Sequence, residues 1–157
     1  GQLVAIIEGI WISEIRTALI SLIAARHMAR PESRRIGFLA CGAQARSHLA
    51  VFSKALPLTE VVAYSRRIET AEAFARGARE AGLEARAVTD PREAIAGCDI
   101  VVSSIPHGAT ATGQLDAGWV GPGTFVASVD LGFGARRDSL AAFDRTVTDD
   151  HEQSTTG

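Results

Sequence analysis

The sequence has few of the residues that form cross-links or metal sites. Its 157 residues include two cysteines, Cys41 and Cys98, and neither lies in a Cys-x-x-Cys pair. This pattern disfavours a zinc site, and sparse cysteines fit a reducing cytoplasm. A chain of this length can bury a core without metal or disulfide cross-links.

The chain also lacks an excess of charge of one sign and a long uncharged run. Its formal net charge is -2, so no basic field for nucleic acid or an anionic membrane is expected. Residues 1–30 are strongly apolar, but Glu8, Glu14, Arg16 and Arg26 interrupt them before 18 uncharged residues accumulate. No basic start with a small-residue cleavage site is present. We therefore expect neither nucleic-acid binding nor a membrane span.

Short β-branched runs alternate with helical patterns along most of the chain. The predicted strands are residues 36–40, 61–64, 84–88, 99–105, 124–129 and 145–148, and the predicted helices between them are residues 43–56, 69–81 and 91–96. Alternation of this kind predicts a parallel sheet with helices on both faces. The expected fold class is therefore α/β, a Rossmann-like doubly wound parallel sheet.

The first 30 residues predict a different arrangement. Residues 3–7 read as a short strand, and Ser13 is a suitable N-cap for a helix that ends near residue 29. Apolar residues on several sides of this helix predict that it is buried. Both ends of the sequence look cut, because a strand and helix precede the alternating pattern and nothing closes the fold after residue 154.

A glycine-containing turn follows the first strand of the alternating region. Residues 36–45 read IGFLACGAQA, in which Ala40, Gly42 and Ala45 take the three glycine positions of a G-x-G-x-x-G loop. Small residues let the backbone approach a pyrophosphate at a helix N-terminus, where free N–H groups favour anions. Because the first glycine is replaced, the motif alone leaves a nucleotide site and an ordinary strand–helix turn as alternatives.

Four segments together resemble one family. CGAQARSHLAVF resembles the G-x-G-x-Q-A-x-x-H/Q-L loop of the ornithine cyclodeaminase/mu-crystallin family, and EIRTALISLIAARHMARP resembles its Arg-Thr helix. DIVVSSIPHGAT resembles its fourth strand, and PGTFVASVDLGFGARRDSL followed by DRTVTDDHEQ resembles its fifth and sixth strands. The resemblance implies a two-domain protein. Residues 1–30 would link to a missing substrate and dimerisation domain, and residues 31–157 would form the dinucleotide-binding Rossmann domain.

The resemblance also implies site residues. Arg16 matches an arginine near the substrate carboxylate and the nicotinamide, where a guanidinium fork can donate two parallel hydrogen bonds, and Thr17 follows it toward the cofactor. The alternative for Arg16 is a surface ion pair. Asp130 is the candidate catalytic acid or base, although the family places its aspartate two positions later, where this chain has Gly132. The alternative for Asp130 is a cap on the following loop.

The remaining candidates concern the cofactor. No acid follows the second strand, so Ser65 and Arg66 favour NADP(H), with NAD(H) possible and a solvated basic turn as the structural alternative. His107 reads as an exposed loop residue more readily than as a proton relay. The other predicted cofactor-binding residues lie in the phosphate loop and at the ends of strands four and five: Gly42, Ala43, Gln44, Ser104, Ile105, Ser128 and Val129.

Two functions fit these residues. The first is an NAD(P)-dependent oxidoreductase or cyclodeaminase acting at the Cα–N bond of a small amino acid or imine. The alternative is an NADP(H)-dependent binding protein like mu-crystallin, without obligatory turnover. Arg16 supports the first, and the displaced aspartate supports the second. The resemblance further implies a homodimer formed through the missing domain, and we expect the isolated chain to turn over nothing.

Overall fold

The computed structural model describes residues 1–106, 114–136, 140–150 and 152. Five parallel strands form one sheet in the order β3-β2-β1-β4-β5. The strands are β1 (Arg35–Leu39), β2 (Glu60–Tyr64), β3 (Glu84–Val88), β4 (Ile100–Ser103) and β5 (Phe125–Ser128). The helices are α1 (Ile10–Met28), α2 (Ala43–Ala55) and α3 (Ile68–Glu80), with 3₁₀ turns at Pro91–Ala94, Ala117–Trp119 and Leu140–Ala142. The predicted Rossmann-like α/β fold is confirmed.

The central strand β1 is the point where the strand order changes direction. The chain runs outward from β1 through β2 to β3, then crosses back to β4 on the other side of β1. Ile36, Phe38 and Leu39 of β1 are fully buried, as expected for a strand covered on both faces. In open parallel sheets, such a reversal leaves a crevice at the carboxyl ends of the strands, where ligands bind.

The two faces of the sheet bury separate apolar clusters. On one face, Phe38 packs edge-on against Phe74 of α3, with ring centroids 4.9 Å apart, and α1 and α2 complete this layer. On the other face, Leu39 and Val62 pack against Ile95 and Leu115. In the part of the chain that the structure describes, 3₁₀ turns and loops cover this second face, whereas the sequence predicted helices there.

The segment before α1 differs most from its prediction. Residues 1–9 form no strand, and no described strand pairs with them. The helix begins at Ile10, whose N–H donates to the Glu8 carboxylate, and Ser13 already lies in the first turn with its N–H on the Gly9 carbonyl. The predicted strand and the Ser13 cap are therefore wrong, because β-propensity without a neighbouring strand gives no ladder of hydrogen bonds.

Helix α1 is also less buried than predicted. Only one stripe faces the protein, formed by Ala18, Ser21, Leu22 and Ala25, whereas Trp11 is 68% exposed. An apolar helix presents more than one apolar side, but a single neighbouring layer can cover only one of them. None of the helices that the structure describes has the length and apolar character required to cross a bilayer.

Two smaller predictions were also wrong. Residues 145–148 form no strand and are exposed, and no described strand pairs with them. The predicted helix at residues 91–96 is a four-residue 3₁₀ turn, Pro91–Ala94. The Asp90 side chain accepts a hydrogen bond from the Arg92 N–H at its start, and Gly97 follows with a φ of 72°, which favours a short turn over a continued helix.

Candidate functional site

The loop between β1 and α2 presents an uncapped helix N-terminus at the carboxyl edge of the sheet. Gly42 is the N-cap residue, and no side chain of the described residues forms a capping hydrogen bond at this end. The first N–H groups of a helix have no acceptor within the helix, so those at the start of α2, at Ala43 and Gln44, can bind an anion. A Cβ built on Gly42 would meet no atom within 4 Å, so the space over the loop is open.

Ala40 adopts the backbone conformation that a glycine would be expected to supply. Its φ is 70°, and its N–H donates to the Tyr64 carbonyl at 3.0 Å, which ties the loop to the end of β2. The next residue, Cys41, is buried, and burial raises the pKa of its thiol to about 12, with Arg46 acting in the opposite direction. Cys41 is therefore a small packing residue in this loop and no thiolate nucleophile.

The end of β2 lies beside this loop. Ser65 directly follows Tyr64 and is half-buried, whereas Arg66 and Arg67 are exposed. Arg67 is the N-cap residue of α3 with extended backbone, so Arg66 lies in the short connection before that helix. The structure thus places a hydroxyl and a guanidinium where an acidic residue binds the ribose hydroxyls in many dinucleotide sites.

A pocket of about 260 Å³ opens beyond the ends of β4 and β5. Most of its lining is apolar, and the polar members come from α2 and from the two strand ends. Within the described chain, the side-chain oxygen of Gln44 is buried and has no hydrogen-bond partner. The lining residues are Gln44, Ser104, Ile105, Pro106, Val129, Asp130, Leu131 and Phe133. Five of the predicted site residues therefore meet in one place: Gln44, Ser104, Ile105, Val129 and Asp130.

Asp130 is buried and accepts three hydrogen bonds. Its Oδ2 accepts from the Ser103 hydroxyl at 2.5 Å and from the Ile105 N–H at 3.2 Å. Its Oδ1 accepts from the Ser128 hydroxyl at 2.7 Å. The carboxylate thereby joins the end of β4 to the end of β5, and Ser128 serves Asp130 without lining the pocket itself.

The turn after Asp130 has an unusual backbone. Leu131 and Gly132 have φ values of 56° and 77°, and the Phe133 N–H donates to the Asp130 carbonyl. Two successive positive φ angles are typical of a type I′ turn, which normally carries Gly, Asn or Asp. A Cβ on Gly134 would lie 2.6 Å from both the Asp130 carboxylate and the Ser103 hydroxyl, so only glycine fits there.

The two residues predicted on α1 are among those that do not line this pocket. Arg16 is exposed on α1, and the Thr17 hydroxyl donates to the Ser13 carbonyl within the helix. Neither Arg16 nor Thr17 lines the pocket that contains Asp130. His107 lies outside the described residues.

The sequence did not reveal a buried polar link between α1 and α2. His48 is fully buried, with Nδ1 2.7 Å from the Gln44 carbonyl and Nε2 3.0 Å from the Ser21 hydroxyl. Because a carbonyl only accepts, Nδ1 carries the proton and Ser21 donates to Nε2. Burial lowers the pKa of His48, so the neutral ring is favoured. The sequence does carry one signal for this link: a histidine lies four residues after Gln44, on the apolar side of the predicted helix.

The parallel sheet and its switch point define a Rossmann-like α/β domain. The sequence profile of the ornithine cyclodeaminase/mu-crystallin family matches residues 1–143. The chain belongs to this family.

Comparison with individual proteins agrees with this assignment. The chain is similar to an alanine dehydrogenase of Archaeoglobus fulgidus, at 27% identity over 100% of this chain and 48% of that protein. It is similar to the ketimine reductase mu-crystallin of Rattus norvegicus, at 32% identity over 82% of this chain and 39% of that protein. Among solved structures, it resembles Thermococcus litoralis Δ1-pyrroline-2-carboxylate reductase in complex with NADH and L-proline. The TM-score is 0.68 at 27% identity, over 76% of this chain and 36% of that one.

The coverage of these relatives is partial. The chain spans between 36% and 48% of the length of the proteins it is compared with above. The matched part includes the whole sheet and the loop between β1 and α2, because the family profile extends over residues 1–143.

Proposed function

We propose that the protein is an NAD(P)-dependent oxidoreductase or cyclodeaminase acting at the Cα–N bond of a small amino acid or imine. One observation carries the proposal: the uncapped N-terminus of α2 opens next to a mostly apolar pocket at the switch point of the sheet. A phosphate-binding helix end beside a partly apolar pocket suits a dinucleotide whose nicotinamide must be shielded from water. The named relatives act as an alanine dehydrogenase and imine reductases.

The residues present fit such a cofactor. The backbone of Gly42, Ala43 and Gln44 would hold the pyrophosphate. The strand-end residues Ser104, Ile105, Ser128 and Val129 would border the nicotinamide, Ser128 through its bond to Asp130. The bound dinucleotide supplies a hydride acceptor or donor for Cα.

Substrate binding is assigned to Arg16, with Thr17 on the cofactor side of it. A guanidinium fixes a carboxylate through paired hydrogen bonds, which orients Cα toward the hydride path. Proton transfer at the nitrogen falls to Asp130 or to a residue outside this chain. A substrate and dimerisation domain preceding residue 1, a homodimer formed through it and a cytoplasmic location belong to the same proposal.

For the cofactor, we favour NADP(H) over NAD(H). Ser65 does not repel a 2′-phosphate as a carboxylate would, and the exposed Arg66 can pair with it. Solvent and salt weaken an exposed pair, so the expected preference is about tenfold. The Thermococcus litoralis relative was solved with NADH, which keeps NAD(H) as the alternative.

A second function, binding of NADP(H) and a small molecule without obligatory turnover, is favoured by two features of the turn after β5. Position 132 is a glycine, and the carboxylate of Asp130 already accepts three hydrogen bonds. A site without a usable acid can bind ligands and cofactor while transferring no proton.

One experiment separates these functions. The full-length protein is incubated with NADH or NADPH and a panel of cyclic imines, or with the oxidised cofactors and a panel of amino acids, while absorbance at the nicotinamide band is followed. Turnover, faster with NADPH at low cofactor concentration, supports the enzyme. Cofactor binding without turnover supports the binding protein.

The variant Arg66→Ala tests the cofactor preference. We expect it to remove most of the NADP(H) preference in a binding titration while leaving NAD(H) affinity close to that of the wild type. Arg67→Ala is the matched control in the same connection, with the neighbouring guanidinium removed. Equal affinity of the wild type for both cofactors, or a preference that survives both substitutions, would contradict the assignment.

A further inference from the structure

The turn that follows β5 begins at Asp130, and the hydrogen-bond donors around its carboxylate limit its possible roles. Asp130 is 7% exposed and receives hydrogen bonds from Ser103, Ser128 and the Ile105 backbone. An ionised carboxylate offers about four lone-pair positions. Three of them are therefore occupied by donors from the protein itself.

Those donors lie at the ends of two neighbouring strands and fix a strained turn. Ser103 is the last residue of β4, Ile105 lies two residues after it, and Ser128 is the last residue of β5. Leu131 holds a positive φ that a side chain normally avoids, and such a conformation persists only where its surroundings enforce it. The carboxylate bonds and the close approach of Gly134 enforce it here.

The fixed turn determines one wall of the pocket. Ile105, Leu131 and Phe133 all line the pocket. The Ile105 N–H donates to the Asp130 carboxylate, Leu131 directly follows Asp130, and the Phe133 N–H donates to the Asp130 carbonyl. The strand ends themselves stay paired through the Val129 N–H on the Ser103 carbonyl. If the carboxylate bonds were lost, the turn after β5 would no longer be tied to Ser103 and Ile105, and this wall would lose its shape.

We infer that Asp130 is a positioning residue. Its carboxylate joins the ends of β4 and β5 and thereby holds the apolar wall of Ile105, Leu131 and Phe133 against the reacting part of the bound molecules. It transfers no proton in the reaction. The inference rests on the proposed function, because it concerns a pocket in which that function would take place.

The chemistry of Asn offers a sharp test. In Asp130→Asn, the amide oxygen can replace Oδ2 and accept from Ser103 and Ile105, while the amide NH₂ replaces Oδ1 and donates to the Ser128 hydroxyl, which can also accept. The three contacts survive although the ionisable group is gone. Asp130→Ala removes all three contacts at once.

The experiment measures kcat, KM and the pH dependence of both in the full-length protein, with cofactor affinity and thermal unfolding as readouts independent of turnover. We expect Asp130→Asn to retain kcat within tenfold and the wild-type pH profile. We expect Asp130→Ala to lose more than tenfold in cofactor affinity and to unfold at a lower temperature. Ser103→Ala, which leaves the carboxyl in place, should shift affinity in the same direction as Asp130→Ala.

A matched control is Ser53→Ala, which removes a hydroxyl from α2 away from the pocket and should leave all readouts unchanged. A fall of more than tenfold in kcat for Asp130→Asn, with wild-type affinity and unfolding temperature and one limb of the pH profile missing, would overturn the inference. So would a Ser103→Ala variant with wild-type affinity. A wild-type protein that binds neither dinucleotide would instead overturn the proposed function, and Asp130→Ala unfolding at the wild-type temperature would then overturn the structural part of this inference.

Discussion

Two residues with side chains adopt a left-handed backbone beside the candidate site. Ala40 in the phosphate loop has a φ of 70°, and Leu131 in the turn after β5 has a φ of 56°. This conformation costs an L-residue roughly 1–2 kcal/mol, and glycine avoids the cost. Both positions border the proposed cofactor cleft, so the cost is confined to the part of the fold that would bind ligand.

Ala40→Gly should stabilise the protein. Relief of the left-handed conformation is partly offset by the greater freedom of glycine in the unfolded chain, which leaves a net gain of about 0.5–1 kcal/mol. That corresponds to an increase of a few degrees in Tm, which differential scanning calorimetry can measure. Ala50→Gly, at an exposed position inside α2, should instead destabilise by about 1 kcal/mol. Equal losses in both variants would show that Ala40 bears no strain.

At the residue scale, the sequence predicted which residues gather at the strand ends but not how they bind one another. Gln44 was predicted from the loop motif and the family resemblance, and Ser104, Ile105, Val129 and Asp130 from their positions at the ends of strands four and five. All five line the pocket. The bond between Ser103 and Asp130 could not be predicted, because it joins residues from different strands whose separation depends on the sheet register. The carboxylate-binding role of Arg16 stays a prediction, and the catalytic role that the sequence suggested for Asp130 is the alternative to the positioning role inferred from its hydrogen bonds.

At the element scale, α1 and α2 are joined by a polar contact inside an otherwise apolar interface. The ring of His48 binds the Gln44 carbonyl on its own helix and the Ser21 hydroxyl on α1, and it lies 5.9 Å from the Phe52 ring. Gln44 contributes to both the helix start and the pocket. The packing of α1 is thus connected to the first turn of the proposed phosphate site.

The stability of this contact should depend on pH. Burial lowers the pKa of His48 below the 6.5 of an exposed histidine, so the unfolded chain takes up a proton that the folded protein resists. The contribution is complete above pH 6.5 and is lost as the pH falls through the lowered pKa. The free energy of unfolding should therefore decline between pH 7 and pH 5, by at most about 1.4 kcal/mol per pH unit from this group.

Urea unfolding at several pH values measures this decline. In His48→Gln the slope should be smaller, because no proton is taken up at this position. His27→Gln, at an exposed position near the end of α1, is the matched control and should keep the wild-type slope. If the two variants showed the same pH dependence, His48 would not be the group responsible.

The elements that the sequence predicted well are those with strict periodicity and local stop signals. The prediction for β3 at residues 84–88 was correct, and α2 was predicted within one residue, because Pro57 follows its last turn. Residues 1–9 and 145–148 have strand-like composition but pair with no described strand. Strand formation depends on a neighbour, which a local pattern does not contain.

At the scale of the whole molecule, the apolar surface is concentrated at one end. The exposed fractions of Leu3, Ile6 and Ile10 are 79%, 87% and 70%, and Trp11 and Ile23 extend this surface along α1. Scattered exposed apolar residues are ordinary, but so many large ones within the first 23 described residues are typical of a segment that another element covers. Relatives that are at least twice as long as this chain are consistent with such an element.

The same end of the molecule determines the final prediction, which concerns residues 1–157 expressed alone. We expect them to bind a dinucleotide at least tenfold more weakly than the full-length protein and to turn over no amino acid or imine. The loop between β1 and α2 and one wall of the pocket are present. Arg16 lies exposed on α1 and outside the pocket lining, so residues 1–157 alone do not hold a substrate carboxylate next to the pocket. Cofactor fluorescence titration and nicotinamide absorbance, performed on both proteins in parallel, measure the two quantities.

Trp11→Ser in residues 1–157 is the control for the apolar surface: it should reduce self-association without changing dinucleotide affinity. Steady-state turnover by residues 1–157 alone would show that this chain already contains a complete active site.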